Sequence, residues 1–144
     1  MVIYLAGKID VTDEVTLNFR EKLAKIFDER GIITRDPLRK KPTELFGTYT
    51  PNEIVFRDLD DINKSDLVLA VVNRRGDKIS FGTPCEVMYA WLQRKPVVFV
   101  SNDAELRDHP WVRGLCVKVF DNVPDAIKYI LEFWQFDDNV NTTS

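Results

Sequence analysis

Six consecutive aliphatic residues, Leu67–Val72, constrain the fold of this chain more than any other stretch. A strand that is exposed on one face alternates apolar and polar residues, whereas a strand that is covered on both faces is apolar throughout. Val2–Ala6 and Val97–Val100 are shorter apolar runs of the same kind. The sequence therefore predicts a parallel sheet that is covered by helices on both faces.

Segments with helical periodicity separate the apolar runs. They lie at Asp13–Arg30, Thr50–Lys64, Glu86–Arg94 and from Asn122 to Trp134, and two further short strands are predicted at Ile32–Arg35 and Cys116–Phe120. Because strands alternate with helices, we expect a single α/β domain with a doubly wound sheet of about five parallel strands. The domain is predicted to span residues 1–136, and the polar residues 137–144 are expected to form a disordered tail.

Composition excludes several classes of protein. The chain has 144 residues, of which 44% are hydrophobic, enough for one core. A net charge of −3 argues against a nucleic-acid partner. Two cysteines without a CxxC pair and one histidine indicate neither a disulfide framework nor a metal site. The first apolar run is too short for a signal peptide or a membrane span, so we expect a cytoplasmic protein with no membrane partner.

The stretch Ser80–Glu86 follows the clearest strand and opens a helix. Thr83 suits the N-cap position and Pro84 the first helical position, which places Glu86 three residues after the cap. Two readings follow from this spacing. Thr83 and Glu86 could form a capping box, in which the carboxylate only satisfies a backbone N–H. Alternatively, the positive end of the helix keeps Glu86 ionised as a nucleophile or base.

A second carboxylate is singled out by the helix that begins after Thr50. Four apolar residues gather on one stripe of this helix, and Asp58 lies inside the stripe, whose members are Ile54, Val55, Leu59 and Ile62. Burying a carboxylate is costly unless it is paired or protonated, so Asp58 should have a partner or a task. The plainer alternative is a structural aspartate that bonds a backbone turn or an arginine.

Ligands of doubly wound sheets bind at the carboxyl ends of the strands, near the point where the strand order reverses. Three segments of the chain lie at such ends: Tyr4–Lys8, Asn73–Glu86 and the pair Ser101-Asn102. Neither a GxGxxG nor a GxxxxGK[ST] motif is present, which argues against a dinucleotide fold of the usual kind and against a P-loop ATPase.

Three other features each leave two readings open. The loop from Asp36 to Thr50, with its basic run Arg39–Lys41, is long enough to cover a ligand, but such a run is often only solvated. The helix Glu86–Arg94 is apolar almost all round, which fits either a subunit interface or deep burial. His109 has no recognisable partner and is interpreted as a surface or packing histidine.

Four stretches, taken in their order and spacing, resemble those of the nucleoside 2-deoxyribosyltransferases and the related nucleoside 5′-monophosphate N-glycosidases. They are "YLAG" at Tyr4–Gly7, "DLDDINKSDLVLAVV" at Asp58–Val72, "SFGTPCEVMYA" at Ser80–Ala90 and "KPVVFV" at Lys95–Val100. The resemblance implies a flavodoxin-like fold and a homodimer or higher homo-oligomer, whose active sites are completed by a neighbouring chain. It also implies that Glu86 is a nucleophile.

The same resemblance assigns the other catalytic roles. Asp58 matches the acid that assists at the departing base, and Tyr4 matches the tyrosine beside the nucleophile. No cofactor is implied, and the expected partner is a small nucleoside or nucleotide. Substrate-binding roles are expected at seven positions: Gly7, Lys8, Ser80, Gly82, Thr83, Ser101 and Asn102.

Ser80 bears on the choice between the branches of this family. Transferases that use free nucleosides resemble D-x-G-x-x-x-E at this motif, whereas the monophosphate hydrolases resemble S-x-G-x-x-x-E. A hydroxyl and helix N-terminal amides suit a phosphate, which an aspartate would repel. Asp10 departs from the pattern, because the hydrolases tend to have a basic residue there, and Lys8 or Ser101 of a neighbouring subunit is expected to compensate. We therefore expect a nucleotide N-glycosidase; the alternatives are base exchange between deoxynucleosides and a non-catalytic nucleotide-binding module.

Overall fold

A computed structural model of the chain describes residues 1–7, 14–37, 48–73 and 80–135. Within these ranges it contains one sheet of five strands, all parallel, in the order β2-β1-β3-β4-β5. The strands are β1 Val2–Gly7, β2 Ile33–Arg35, β3 Leu67–Val71, β4 Val97–Val100 and β5 Lys118–Phe120. This order is that of flavodoxin-like folds, so the predicted fold class is confirmed.

Helices connect the strands, and they include the four that the periodicity predicts. They are α1 Glu14–Asp28, α2 Pro51–Asn63, α3 Gly82–Leu92, α4 Ala104–Arg107, α5 Pro110–Leu115 and α6 Val123–Tyr129, the last continuing as a π-helical turn, Ile130–Trp134. The predicted N-cap of α2 is confirmed, because Thr50 and Glu53 form a reciprocal capping box with bonds of 3.1 Å.

Two apolar layers lie on the two faces of the sheet. On one face α1 and α6 cover a cluster that includes Leu5, Phe27 and Ile130. On the other face α2, α3 and α5 cover a second cluster, to which Tyr4 and Phe99 belong. Alternation along β1 puts Tyr4 and Leu5 on opposite faces. The side of Tyr4 is therefore the side of α2 and α3, the two helices that carry the predicted acids.

The strand order reverses between β1 and β3, and the carboxyl ends of these two strands mark the ligand-binding crevice of such sheets. Tyr4 is paired with Val68 and Gly7 with Val71. Gly7 has a φ of 154°, and a Cβ added there would lie 2.6 Å from the carbonyl oxygen of Val71. Only glycine fits this close approach of β1 to β3.

Some of the predicted features lie outside the described residues. They are Lys8, Asp10, the basic run Arg39–Lys41 and the tail 137–144. In the ranges that the structure describes, no helix is long and apolar enough to cross a membrane. Nor do three or more histidine, cysteine or acidic side chains come together there as a metal site.

Candidate active site

The side chains of Tyr4 and Glu86 meet at the point where the strand order reverses. Tyr4 is buried in β1, and its hydroxyl donates a hydrogen bond to Oε2 of Glu86, in the first half of α3. The fold thus joins two groups that are 82 residues apart in the chain. Both had been predicted as site residues, and the structure brings them into direct contact.

Glu86 is not engaged in a capping box. Helix α3 begins at Gly82, so Thr83 lies inside the helix and the prediction of Thr83 as the N-cap is wrong. The Oγ of Ser80 accepts hydrogen bonds from the Thr83 amide at 3.3 Å and from Thr83 Oγ1 at 2.9 Å. Ser80 thereby satisfies the amide that a Glu86 capping box would have used, and the carboxylate is left to Tyr4.

Burial raises the pKa of Glu86 to about 7. The hydrogen bond from Tyr4 lowers this pKa, the negative charge of Asp58 raises it, and the positive charge of Arg20 lowers it. Near neutral pH both protonation states of the carboxyl are therefore populated.

Tyr4 stays protonated. Burial raises the pKa of its phenol, and the charges of Glu86 and Asp58 raise it further. A phenol whose pKa is raised in this way remains a hydrogen-bond donor throughout the physiological range. Toward Glu86 it can therefore act as a hydrogen-bond donor that orients the carboxylate.

Asp58 belongs to the same cluster. It is half-buried on α2, and its charge acts on both Tyr4 and Glu86. The predicted apolar stripe around Asp58 is only partly buried: Ile62 is buried, but Val55 is 56% exposed. Asp61, the residue before Ile62, is also buried, and its Oδ1 pairs with Arg35 Nη1 at 3.1 Å.

Ser80 lies just before α3, and Gly82 is the first residue of this helix, one helical turn before Glu86. Because Ser80 Oγ accepts both bonds from Thr83, its own O–H can donate to a ligand. A Cβ built on Gly82 would stand 4.0 Å from Glu86 Oε1, so a side chain there would occupy the space in front of the carboxylate. Thr83 itself is buried and turned toward Ser80.

Ser101 and Asn102 follow β4. Ser101 is buried, and its Oγ accepts a hydrogen bond from the amide of Asp103 at 3.1 Å. The amide of Asn102 donates to Asn73 Oδ1 at 3.1 Å and links the segments after β3 and β4. Contact of the Ser101 hydroxyl with a ligand of a neighbouring subunit stays a prediction; because Ser101 Oγ accepts the bond from Asp103, donation of its own O–H would not break that bond.

Arg20 is not among the site residues predicted from the sequence. It is buried in α1, and its positive charge acts on both Tyr4 and Glu86. Leu23 and Phe27, three and seven residues later, are buried in the core. Arg20 is therefore a charged residue on an apolar stripe, the same signal that singled out Asp58.

An apolar cavity of about 330 Å³ borders α3. Ser80 and Thr83 line it at the start of the helix, and the rest of its lining is largely apolar and includes Pro84, Val87, Phe99, Trp111 and Leu115. His109 also borders it, and its Nδ1 accepts a hydrogen bond from the amide of Trp111 at 3.2 Å, which caps α5. This bond supports the interpretation of His109 as a structural residue.

Solved structures with the same fold include two 2-deoxyribosyltransferases. The protein from Bacillus psychrosaccharolyticus is 19% identical over 88% of this chain and 90% of its own, with a TM-score of 0.67. The protein from Leishmania mexicana is 18% identical over 92% of this chain and 97% of its own, with a TM-score of 0.70. A CMP N-glycosidase from Clostridium botulinum is 16% identical over 92% of this chain and 100% of its own, with a TM-score of 0.62.

Comparison with curated protein sequences gives no match. The family model described as nucleoside 2-deoxyribosyltransferase, however, matches residues 3–127, which include Tyr4, Asp58 and Glu86. Members of this family are enzymes that act on nucleosides or nucleotides. The match extends over most of the chain, so the chain belongs to the nucleoside 2-deoxyribosyltransferase family.

Proposed function

We propose that the protein is an N-glycosidase that cleaves a nucleoside 5′-monophosphate, with either ribose or deoxyribose, into the free base and the sugar 5-phosphate. The observation that carries the proposal is the contact of the Tyr4 hydroxyl with Glu86, with the charge of Asp58 acting on both. Paired acids with different environments are what glycosidic chemistry requires, because one must be ionised while the other donates a proton.

In the proposed reaction a carboxylate oxygen of Glu86 attacks C1′ of the sugar, and the N-glycosidic bond breaks. Asp58 protonates the departing base, which leaves as a neutral molecule. The Asp58 carboxylate then removes a proton from water, which attacks C1′ of the glycosyl ester, and release of the sugar 5-phosphate regenerates the Glu86 carboxylate and protonated Asp58 with net retention at C1′. Tyr4 orients the carboxylate before the attack and stabilises it again as the ester breaks.

The Ser80 hydroxyl is the proposed phosphate ligand. Its Oγ already accepts two bonds from Thr83, which fixes its position and leaves its proton to donate. Gly82 keeps the approach to Glu86 Oε1 open, since a side chain there would stand 4.0 Å from that oxygen. The Thr83 amide is bonded to Ser80, so Thr83 contributes by holding Ser80 rather than by direct contact with the phosphate.

Base exchange between deoxynucleosides is the second candidate, since the two transferase structures overlay this chain with TM-scores of 0.67 and 0.70. Incubation with a deoxynucleoside, a deoxynucleotide and a second free base separates the two activities. We expect free base and sugar phosphate, analysed by chromatography. A new nucleoside that carries the second base would instead identify a transferase, and tight binding without base release, unchanged in Glu86→Ala, would identify a non-catalytic binding module.

Two variants of Ser80 sharpen this test. Ser80→Asp places a negative charge where the phosphate is proposed to bind, so it should lower kcat/KM for monophosphates far more than for free nucleosides. Ser80→Ala, the matched control, removes the hydroxyl without adding charge and should cause a smaller loss. Equal losses for nucleosides and monophosphates in Ser80→Asp would show that Ser80 does not contact the phosphate.

We further propose that the protein acts as a homodimer or higher homo-oligomer in the cytoplasm. Helix α3 and the residue before it expose large apolar side chains: Phe81 is 89% exposed, Leu92 58% and Trp91 50%. Large apolar side chains that are exposed in this way are typical of an interface. Sedimentation over a range of concentrations should show an oligomer that Leu92→Glu dissociates, and cell fractionation tests the compartment. A fully active wild-type monomer at every concentration would contradict the proposed assembly.

A further inference from the structure

Arg20 anchors the carboxyl end of β1. Its side chain is buried, and its Nη1 donates to the carbonyl oxygen of Leu5 at 3.3 Å and to Asp36 Oδ1 at 2.9 Å. Its Nη2 donates to the carbonyl oxygen of Gly7 at 3.2 Å. A buried guanidinium is costly unless its charge is paired and its donors are used, and these three bonds meet that need. They also tie α1 and the residue after β2 to the end of β1.

The anchored segment is the one that presents Tyr4. Leu5 follows Tyr4 directly, and Gly7 ends the strand. Gly7 passes through a narrow space, because a Cβ there would lie 2.6 Å from the carbonyl oxygen of Val71 and 3.4 Å from Arg20 Nη2. The guanidinium therefore packs against the carboxyl end of β1, beside Gly7. Loss of this contact would make the strand that carries the Tyr4 hydroxyl more mobile.

Arg20 also supplies charge to the cluster. The groups that act on Glu86 from the elements packed around it are Tyr4 of β1, Asp58 of α2 and Arg20 of α1. Arg20 is the positive one of these, and it lowers the pKa of both Tyr4 and Glu86. It opposes Asp58, whose charge raises both.

We propose that Arg20 is a positioning residue for the reaction, in that its buried guanidinium fixes the end of β1 and provides the counter-charge for the Tyr4–Glu86 pair. This proposal rests on the proposed function. Arg20 acts through Tyr4 and Glu86 and does not itself contact the substrate. Asp36, which holds the guanidinium at 2.9 Å, offsets part of its charge and so sets how much of it Glu86 experiences.

Titration of the Glu86 carboxyl tests the proposal without turnover. We would label the glutamate carboxyl carbons with ¹³C, follow their NMR shifts against pH, and assign Glu86 by the signal that Glu86→Gln lacks. Arg20→Met removes the positive charge, so the Glu86 midpoint should rise by roughly 0.5–1 unit. Asp36→Asn leaves the charge of Arg20 less compensated, so the midpoint should fall.

These opposite directions separate an electrostatic role from a merely structural one. Both substitutions break the same Arg20–Asp36 ion pair, and a structural role would move the midpoint the same way in both. Arg20→Lys keeps the charge but loses the forked bonds to Leu5 and Gly7. Its midpoint should stay near that of the wild type, while kcat for base release falls and KM changes little.

A Glu86 midpoint that is unmoved in folded Arg20→Met, or that shifts alike in Arg20→Met and Asp36→Asn, would overturn the proposal. If Arg20→Met does not fold, the fall expected in Asp36→Asn and the unchanged midpoint expected in Arg20→Lys remain as tests, and failure of either has the same meaning. Because the titration needs no substrate, it stays informative if the protein releases no base, and the two proposals can fail independently.

Discussion

Helix α3 packs on the sheet with two flanks that differ in chemistry. The flank that bears Glu86 turns toward β1 and α2, where it meets the Tyr4 hydroxyl and the charge of Asp58. The flank that bears Pro84 turns toward α5 and borders an apolar cavity of about 330 Å³. Both flanks are partly withdrawn from water, but among the described residues only the first carries acidic side chains.

The comparison distinguishes the proposed active site from a space that is mainly apolar. Ser80 and His109 border the cavity, but within the described part of the chain its lining includes no acidic side chain. The Glu86 flank instead combines partly buried charges that act on one another with the position where the strand order reverses. Changes on the Glu86 flank should therefore alter rates and pH profiles, whereas changes to the apolar side chains of α5 that line the cavity should alter stability alone.

The largest expected effect is on the Glu86 flank itself. Glu86→Gln keeps the size of the side chain and a possible bond to Tyr4 but removes the nucleophile. Base release in a single-turnover assay should fall by at least about 10³-fold, as expected for loss of a nucleophile. Activity within tenfold of the wild type would exclude a covalent role for this carboxylate.

Asp58→Asn should have the next largest effect, a loss of roughly 10²–10⁴-fold from removal of a general acid. It also removes a negative charge that raises the pKa of Glu86, so the acidic limb of the rate profile should move to lower pH. Asp60→Asn is the matched control on the same helix. Asp60 is exposed and pairs with Lys64 at 2.7 Å, and its substitution should leave the rate unchanged.

Tyr4→Phe tests the contact between β1 and α3. Loss of one hydrogen bond to a charged group should slow the chemical step by roughly 10- to 100-fold. In the wild type the rate should fall tenfold per pH unit below about 7, where Glu86 becomes protonated. Because the Tyr4 bond lowers the pKa of Glu86, this limb should move to higher pH in Tyr4→Phe. An unmoved limb would mean that the two groups do not interact in solution.

Burial of the Glu86 carboxylate should also lower the stability of the folded protein. The pKa of Glu86 is raised from 4.5 to about 7 in the folded protein, so the folded state holds this proton more tightly than the unfolded state. Burial of the carboxylate therefore lowers stability progressively as the pH rises from about 4.5 to 7.

Glu86→Gln removes the ionisable carboxyl and therefore should not lose stability as the pH rises. Its free energy of unfolding should exceed that of the wild type by up to about 3 kcal/mol at pH 8 and equal it at pH 4. Thermal melts of both proteins at the two pH values measure the difference. A Glu86→Gln protein that is less stable than the wild type at pH 8 would show that the surroundings of Glu86 favour its ionised form.

The two flanks also differ in how far they can be predicted from the sequence. The strands follow from uninterrupted apolar runs such as Leu67–Val72, and their parallel arrangement follows from the alternation with helices. Glu86 and Asp58 stand out because helix spacing places a carboxylate at a helix start or on an apolar stripe. Family resemblance then links the two to Tyr4, and the fold brings all three to one cluster.

The predictions from the sequence are wrong or incomplete where a structural feature depends on contacts between separate segments of the chain. Thr83 has the residue type of an N-cap, but α3 begins at Gly82, and the Thr83 amide donates its hydrogen bond to Ser80 Oγ. Residue type alone does not determine where this helix starts. Arg20 lies on an apolar stripe of α1, but the stripe alone does not identify the strand end that its side chain bonds. The cavity beside α3 arises from the packing of short helices, whose positions periodicity does not fix.

The smallest expected effect on activity is on the cavity flank. Leu115 of α5 packs at the edge of the core and lines the cavity, and truncation to alanine enlarges a space that is already empty of protein atoms. The free energy of unfolding of Leu115→Ala should therefore fall by about 1–3 kcal/mol, toward the low end for a leucine that is only partly buried. Chemical denaturation measures this loss. The rate of base release and its acidic limb should stay those of the wild type, because no ionisable group of the Tyr4–Glu86 cluster contacts α5 among the residues that the structure describes. A shift of the acidic limb in Leu115→Ala would mean that the two flanks communicate through α3 and are not separate regions.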